Sequence, residues 1–257
     1  MPAPSLISIV MPAYNAVATL RESVQSVQAQ TYPTWELLLV VDRNSKDETL
    51  TMAEALAAED PRIRVIQGLP EGGCVFNRNH ALKTATGDFI AFLDSDDLWL
   101  PEKLEKQLAL METTGCHLAY TGYRQIDWQG RPLPTIIRPP EKLTHADLLR
   151  DNLLGCLTAM FRRSAFPAVQ FVEFLHEDYI LWLQLLRQTT AHGVPEVLAH
   201  YRVAPTSRSG NKVKAAIARW RILREFEHLP LTRAVPAYLH YVSSALLKRA
   251  PTVSSNQ

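Results

Sequence analysis

The sequence predicts an α/β protein with a doubly wound, mixed but mostly parallel sheet, followed by a helical C-terminal extension. Three observations support this prediction. About the first hundred residues alternate short apolar segments with helical patterns. The strand segments are apolar throughout, which is typical of a parallel sheet covered on both faces. Polar residues follow the ends of three of these strands, and the last part of the chain is helical and basic.

The N-terminal half contains four predicted strands and three predicted helices. The strands are residues 6–11, 36–41, 62–66 and 88–93, and the helices are residues 17–29, 47–58 and 74–85. Gly87 follows the third helix, as glycine commonly does at a helix end. Ligands of doubly wound sheets bind beyond the carboxyl ends of the strands. Asn15, Asp42 and Asp94 follow such ends, so we expect them to share one crevice.

The second half is less regular. A helix is predicted at residues 101–113 from the spacing of Leu104, Leu108 and Met111, which places them on one face. A proline-rich extended loop is predicted at residues 129–142. The remaining predicted elements are a strand at 117–126, a helix at 147–154, a strand at 156–161, a helix ending near 187, a strand at 195–203, and basic helices at 212–224 and 236–249.

Composition excludes several classes of protein. The 257 residues are 47% apolar and 21% charged, as in ordinary globular proteins. The net charge of +1 gives no electrostatic basis for binding nucleic acid. No apolar stretch approaches a membrane span, and the N-terminus lacks a signal-peptide pattern. Cys74, Cys116 and Cys156 fit neither a zinc site nor a disulfide framework. We therefore expect a cytoplasmic protein.

An acidic cluster follows the fourth strand. Asp94, Asp96 and Asp97 lie within four residues. Carboxylates this close raise each other's pKa and are rarely buried unless paired, so a positive partner is expected. A hard divalent cation held by carboxylates and substrate phosphates would meet that need. The alternative is a solvated acidic turn that caps the helix starting near Pro101.

Five segments in order resemble motifs of family 2 glycosyltransferases, an inverting group with the GT-A fold. They are VMPAYN at 10–15, VDRNSKD at 41–47, NRNHAL at 77–82, FLDSDD at 92–97 and HEDY at 176–179. Each is weak alone, but five in order are specific. The chain is most similar to bacterial transferases that build cell-surface polysaccharides of the teichuronic-acid type.

The resemblance implies a division of the chain. Residues 1–205 would form the GT-A domain, with a donor half at about 1–100 and an acceptor half at about 101–205. Residues 206–257 would form a helical basic segment. This segment mixes basic, apolar and aromatic residues, as in helices that lie on anionic membranes. We expect peripheral contact with the inner face of the membrane, packing on the sheet domain, or a homodimer contact.

The resemblance also implies a donor and a metal. The donor would be a nucleotide-diphosphate sugar, with UDP-sugar favoured, and the cation would be Mg²⁺ or Mn²⁺. Asp96 would bind the metal, and Asp94 would contact the metal or the ribose. The residues implied for the donor are Pro12, Tyr14, Asn15, Asp42, Arg43, Arg78, Asp94, Ser95 and Asp96.

Catalysis by inversion needs one general base to deprotonate the acceptor hydroxyl. The position that matches the family motif is Asp178, with Glu177 as the alternative base or an acceptor-orienting group. Because a helix begins there, a plain N-cap is the structural alternative for Asp178. The acceptor would be a glycan or a lipid-linked sugar.

One position departs from the family pattern. The family usually has a second aspartate where this chain has Arg43, and that pair commonly accepts a hydrogen bond from uracil. Arginine can only donate hydrogen bonds. Either Asp42 alone recognises the base, or another nucleobase is bound.

Two other functions remain open. A sugar-phosphate nucleotidyltransferase would carry a Gly-rich basic loop after the first strand, whereas this chain has PAYNA at 12–16. A degenerate sugar-nucleotide-binding protein would show damaged motifs, and Arg43 is its only support.

Overall fold

The computed structural model describes residues 4–204 and 212–247 of the chain. Within these residues, ten strands and eight α-helices form the fold. The strands are β1 (Ile7–Ala13), β2 (Trp35–Val41), β3 (Ile63–Gln67), β4 (Phe89–Phe92), β5 (Leu98–Trp99), β6 (Leu118–Ile126), β7 (Pro132–Ile137), β8 (Lys142–Leu143), β9 (Met160–Arg162) and β10 (Ala191–Arg202). The helices are α1 (Leu20–Gln28), α2 (Thr49–Glu59), α3 (Cys74–Thr84), α4 (Lys103–Thr114), α5 (His145–Arg150), α6 (Glu177–Leu186), α7 (Lys212–Arg221) and α8 (Leu231–Leu247).

The strands make one mixed sheet in the order β3-β2-β1-β4-β9-β6-β10-β5, with β7 beside β6 and β8 beside β10. The first four strands in this order are parallel. β9 runs antiparallel to both β4 and β6, and so joins the two halves of the sheet. The prediction of a doubly wound, mostly parallel sheet is confirmed.

Both faces of the sheet are covered because its inner strands are apolar on both sides. Leu37 and Leu39 of β2 pack in a cluster with α1, α2 and α4. Leu38 and Val40 point the other way and pack in a cluster with α3, α5 and α6. Alternation along a strand thus supplies two separate cores.

Several predicted boundaries in the second half are wrong. The expected loop at 129–142 contains β7 and β8; β7 tolerates its prolines because it pairs with β6 alone among the described strands. The strand expected at 156–161 begins instead as a 3₁₀ turn (Cys156–Thr158) and continues as β9. The helix α5 begins before residue 147 because Thr144 and Asp147 form a capping box.

The C-terminal extension is helical, as predicted. A π-helical turn (Ile222–Phe226) continues α7, and α8 starts five residues before the expected Pro236, which lies inside it. The proposed boundary at residue 205 and the basic residues Lys248 and Arg249 lie outside the described residues. None of the helices in the described ranges is long and apolar enough to cross a membrane.

Glu36 ties together the amino ends of the central strands. Its side chain is about 11% exposed. It accepts hydrogen bonds from Ser8 Oγ at 2.6 Å, from Thr86 N at 2.8 Å and Oγ1 at 2.7 Å, and from Arg64 at 3.0 Å. Burial alone would raise the pKa of Glu36, but these hydrogen bonds together have a larger effect in the opposite direction. The net result is a pKa below the usual value of a glutamate.

We expect Glu36→Gln to lower the free energy of unfolding at pH 7 by about 1–3 kcal/mol, because charge-assisted hydrogen bonds are lost. A lowered pKa stabilises the fold above the pKa of the unfolded chain, and that stability is lost as the pH falls through the folded value. The difference between wild type and variant should therefore shrink between pH 7 and about pH 3. Urea unfolding of both proteins at several pH values measures this difference in the free energy of unfolding.

The matched control is Glu54→Gln, which changes an exposed glutamate of α2. Its effect should stay within about 0.5 kcal/mol. Equal effects of the two substitutions at pH 7 would contradict this role of Glu36.

Candidate functional site

The carboxyl ends of β1, β2 and β4 border a cleft of about 560 Å³. It brings together seven of the nine residues predicted to bind the donor. They are Pro12, Tyr14, Asn15, Asp42, Asp94, Ser95 and Asp96. Thr19, Asn44, Asn77 and Trp128 also line this cleft, which we call the donor-side cleft. The crevice expected from the strand ends is therefore present.

Asp42 lies at the bottom of the donor-side cleft and is 3% exposed. Its carboxylate accepts hydrogen bonds from Asn44 N at 2.8 Å, Gly73 N at 2.5 Å and Asn77 Nδ2 at 2.8 Å. Burial alone would raise the pKa of Asp42, but the hydrogen bonds from these donors have a larger effect in the opposite direction. The net result is a pKa below the usual value of an aspartate. Asp42 is therefore an ionised group that can only accept hydrogen bonds.

The turn after β1 has a fixed shape. Asn15 has a left-handed backbone with φ 47°. Its Oδ1 accepts a hydrogen bond from Lys46 N at 2.7 Å, which ties this turn to the one after β2. Tyr14 is 58% exposed at the rim of the cleft. Arg43 is also exposed and lies outside the lining of the cleft, so its role toward the donor stays a prediction.

A second cleft of about 510 Å³ adjoins the first and shares Cys74, Asp94 and Asp96 with it. We call it the acceptor-side cleft. Its other lining residues include Arg78, Asp97, Tyr123, Asn152, Leu157, His176, Glu177, Asp178, Tyr201 and Arg202. Both predicted catalytic acids therefore lie in a cavity that borders the predicted metal ligands.

Arg78 links the two clefts. It projects from α3 and its side chain is 4% exposed. One terminal nitrogen donates to Asp94 at 2.5 Å and the other to Glu177 at 3.1 Å. Arg78 therefore contacts Asp94, whereas the hydrogen bonds of Asp42 come from other groups. Burial alone would lower the pKa of Arg78, but Asp94 and the other nearby acids raise it well above its usual value.

Two carboxyl groups of the acidic cluster after β4, Asp96 and Asp97, have a raised pKa. Burial, and next the charge of Asp94, raises the pKa of Asp96 to about 6. Burial and both neighbouring acids also raise the pKa of Asp97, which is 2% exposed. Asp97 does not cap α4, because its carboxylate accepts a hydrogen bond from Arg202 N at 2.8 Å.

Asp178 is the second residue of α6, so it is not the N-cap; His176 holds that position with φ 67°. Burial, and next the charge of Glu177, raises the pKa of Asp178 to about 6. Its Oδ1 accepts a hydrogen bond from Tyr179 N at 2.8 Å. Since Arg78 binds Glu177, the two adjacent acids have different surroundings.

Several lining residues are not among those predicted from the sequence to bind the donor or to act in catalysis. Asn77 belongs to the NRNHAL segment, so its position in that motif was the available signal. Arg202 is 3% exposed and donates to Asp96 O, Trp128 O and Glu22, each at 2.7 Å. The sequence suggests Arg202 as a basic residue near the donor phosphates in a loop after the last strand, whereas the structure places it at the end of β10 and in the lining of the acceptor-side cleft. No local pattern marks Trp128, because only the tertiary fold brings it to the donor-side cleft.

A family model described as Glycosyl transferase family 2 matches residues 8–169. The chain is 39% identical over 246 residues to the Bacillus subtilis (strain 168) protein named putative teichuronic acid biosynthesis glycosyltransferase TuaG, covering 95% of this chain and 97% of that protein. It is 37% identical over 248 residues to the Escherichia coli UDP-Glc:alpha-D-GlcNAc-diphosphoundecaprenol beta-1,3-glucosyltransferase WfgD, covering 95% of each.

Solved structures agree in fold. S. aureus TarS 1-349 in complex with UDP-GlcNAc superposes with a TM-score of 0.74 at 19% identity, covering 93% of this chain and 72% of that chain. A Pyrobaculum calidifontis mannosyltransferase in complex with GDP-Man and Mn²⁺ has a TM-score of 0.70 at 16% identity, covering 96% of this chain and 76% of that chain. With the GT-A fold predicted from the motifs thus present, and with the family model spanning more than half of its length, the chain belongs to glycosyl transferase family 2.

Proposed function

We propose that this protein is an inverting, metal-dependent glycosyltransferase that moves a sugar from a UDP-sugar to a glycan or lipid-linked acceptor in cell-surface polysaccharide synthesis. One observation carries the proposal. The buried Arg78 joins Asp94, on the donor side, to Glu177, beside the candidate base, through two hydrogen bonds. A donor and an acceptor bound in the two clefts would meet at this link.

Asp42 supports a uridine donor. An ionised carboxylate accepts a hydrogen bond from a ring N–H, which uracil and guanine present and cytosine does not. Tyr14 offers an aromatic face at the rim of the same cleft. The name of WfgD includes UDP-Glc, and the TarS structure is a complex with UDP-GlcNAc. Both agree with a uridine donor for this chain.

Asp94 and Asp96 fit a Mg²⁺ or Mn²⁺ ion. They are two carboxylates that line both clefts, and burial and the charge of Asp94 raise the pKa of Asp96. In the described part of the chain, no group of three His, Cys, Asp or Glu side chains could hold a metal by itself. Two carboxylates plus donor phosphates form a common magnesium site. The ion would stabilise negative charge on the leaving diphosphate.

Asp178 suits the role of general base. With a pKa of about 6 it is mostly ionised at neutral pH, yet basic enough to take a proton from an acceptor hydroxyl. Glu177 is held by Arg78, so we assign it to orienting the acceptor and Arg78. Arg78 in turn keeps Asp94 in place toward the donor.

The C-terminal helices supply a surface for a membrane. Five of the eight exposed large hydrophobic side chains in the described residues lie on α7 and α8: Val213, Ile217, Leu231, Val235 and Leu239. Exposed Lys214, Arg224 and Arg233 lie among them in sequence. We assign this apolar face to an anionic lipid bilayer on the cytoplasmic side, because apolar and basic residues together favour that surface. A second copy of the chain is the competing occupant.

Nucleotide binding tests the donor assignment. In the presence of Mn²⁺ we expect UDP to bind at least about tenfold more tightly than CDP, because Asp42 pairs with the uracil N–H. EDTA should weaken the binding of UDP, and Asp96→Ala should remove this metal dependence. Calorimetric titration with UDP, CDP, GDP and dTDP measures each affinity. Absence of metal-dependent binding to all four would favour a degenerate, non-catalytic protein.

We expect Asp178→Asn to reduce kcat by about 10²–10⁴-fold, because the amide cannot take the acceptor proton. The assay uses UDP-glucose and GlcNAc-diphosphoundecaprenol, the substrates named for the E. coli relative. The affinity for UDP should change less than about twofold, since Asp178 lies outside the lining of the donor-side cleft.

The wild-type rate should also fall as the pH drops below about 6, where Asp178 becomes protonated. Near-normal turnover by Asp178→Asn would show that another group is the base.

Flotation with vesicles tests the membrane assignment. Ile217→Asp and Leu239→Asp should each weaken binding to phosphatidylglycerol vesicles by roughly tenfold, because an apolar contact is replaced by a charge. The control, Leu50→Asp, changes an exposed leucine of α2 and should have no effect. Loss of a dimer in the two variants, without any vesicle binding by wild type, would assign the face to a second copy.

A further inference from the structure

A third cavity, of about 280 Å³, lies where α6 meets the C-terminal helices. Its lining residues are Asp151, Asn152, His176, Tyr179, Arg219, Ile222 and Tyr241. Asn152 and His176 also line the acceptor-side cleft. The cavity therefore adjoins the acceptor-side cleft, which contains Asp178, and shares no lining residue with the donor-side cleft.

Arg219 is the cationic group of this cavity. It is 3% exposed. It donates to the backbone oxygens of Leu149 at 2.8 Å and Leu148 at 3.2 Å, and its guanidinium lies 4.0 Å from the ring centre of Tyr179. Its Nε is buried without a hydrogen-bond partner among the described residues. Burial lowers the pKa of Arg219, while Tyr179, Tyr241 and Asp151 act in the opposite direction.

The rest of the cavity is suited to an amphiphile. Ile222 and Tyr241 come from the π-helical turn and from α8, and the ring centre of Tyr241 lies 5.0 Å from the Arg219 guanidinium. The same two helical segments belong to the extension that carries the exposed apolar face. A ligand with an anionic group and an apolar chain could place the first at Arg219 and the second along this face.

We propose that the cavity binds the phosphate that joins an acceptor sugar to its lipid. This inference rests on the proposed function, because it assumes a lipid-linked acceptor. The sugar would occupy the acceptor-side cleft beside Asp178, the phosphate would accept hydrogen bonds from Arg219, and the chain would leave along α7 and α8. The enzyme would thereby select phosphate-linked lipid acceptors over neutral glycosides.

A substitution at Asp151 should change anion binding in the opposite direction to a substitution at Arg219. Its carboxylate lines the same cavity and would repel a phosphate. Removing its charge should strengthen the binding of an anion, whereas removing the charge of Arg219 should weaken it. General damage to the fold would not strengthen binding, so the pair distinguishes recognition from structure.

The experiment titrates the full chain, saturated with UDP and Mn²⁺, with decyl diphosphate. UDP occupies the donor-side cleft, so the probe reports on the remaining sites. We expect Arg219→Gln to weaken decyl diphosphate at least about tenfold and Asp151→Asn to tighten it several-fold. Glu173→Gln, which removes an exposed charge outside all three cavities, is the matched control and should change nothing.

Two further probes separate the sources of the phosphate. Inorganic diphosphate should bind at least about tenfold more weakly than decyl diphosphate, and decyl maltoside should bind wild type and Arg219→Gln equally. Equal affinity for inorganic and decyl diphosphate would overturn the lipid assignment. Insensitivity of decyl diphosphate to both substitutions, with UDP still bound, would overturn the cavity assignment alone. Failure of wild type to bind UDP would instead contradict the proposed function.

Discussion

The buried guanidinium of Arg78 is the interaction on which the candidate site depends. It sits between two carboxylates from different parts of the sheet, Asp94 after β4 and Glu177 at the start of α6. Because the Arg78 side chain is buried, removing either carboxylate would leave its charge only partly compensated. Arg78 lies on α3, which connects β3 and β4 in the parallel half of the sheet. The parallel half therefore positions a residue that also holds Glu177, at the start of α6 in the second half of the chain.

The acidic groups around this link are held in different charge states by their surroundings. Three hydrogen-bond donors keep Asp42 ionised, whereas burial and nearby charges bring the pKa of Asp96 and of Asp178 to about 6. One fold thus keeps one carboxylate ionised and raises the pKa of two others, and the metal and base roles proposed for Asp96 and Asp178 rest on that difference. Groups of one chemical type acquire separate roles through desolvation and neighbouring charge.

A second arginine connects the edges of the site. Arg202, at the end of β10, bonds the backbone of Asp96 and of Trp128 and the side chain of Glu22. It therefore ties α1, the acidic turn and the β6–β7 hairpin to one strand end. Arg219 has a comparable place between α5 and the C-terminal helices, through the carbonyls of Leu148 and Leu149. Displacing either arginine would leave the backbone oxygens that it bonds without this donor.

The sequence by itself determined the class of the sheet, its parallel half and the acidic strand end, because apolar periodicity and turn residues act over short distances. It also placed Asp94, Asp96, Glu177 and Asp178 in recognisable segments, whose roles remain proposals. Only the tertiary structure decided that β7 forms from a proline-rich segment, and that Arg78, which bonds Asp94, also bonds Glu177, 99 residues away in the chain. Such contacts depend on which strand ends become neighbours, and that order is a property of the whole sheet rather than of any local pattern.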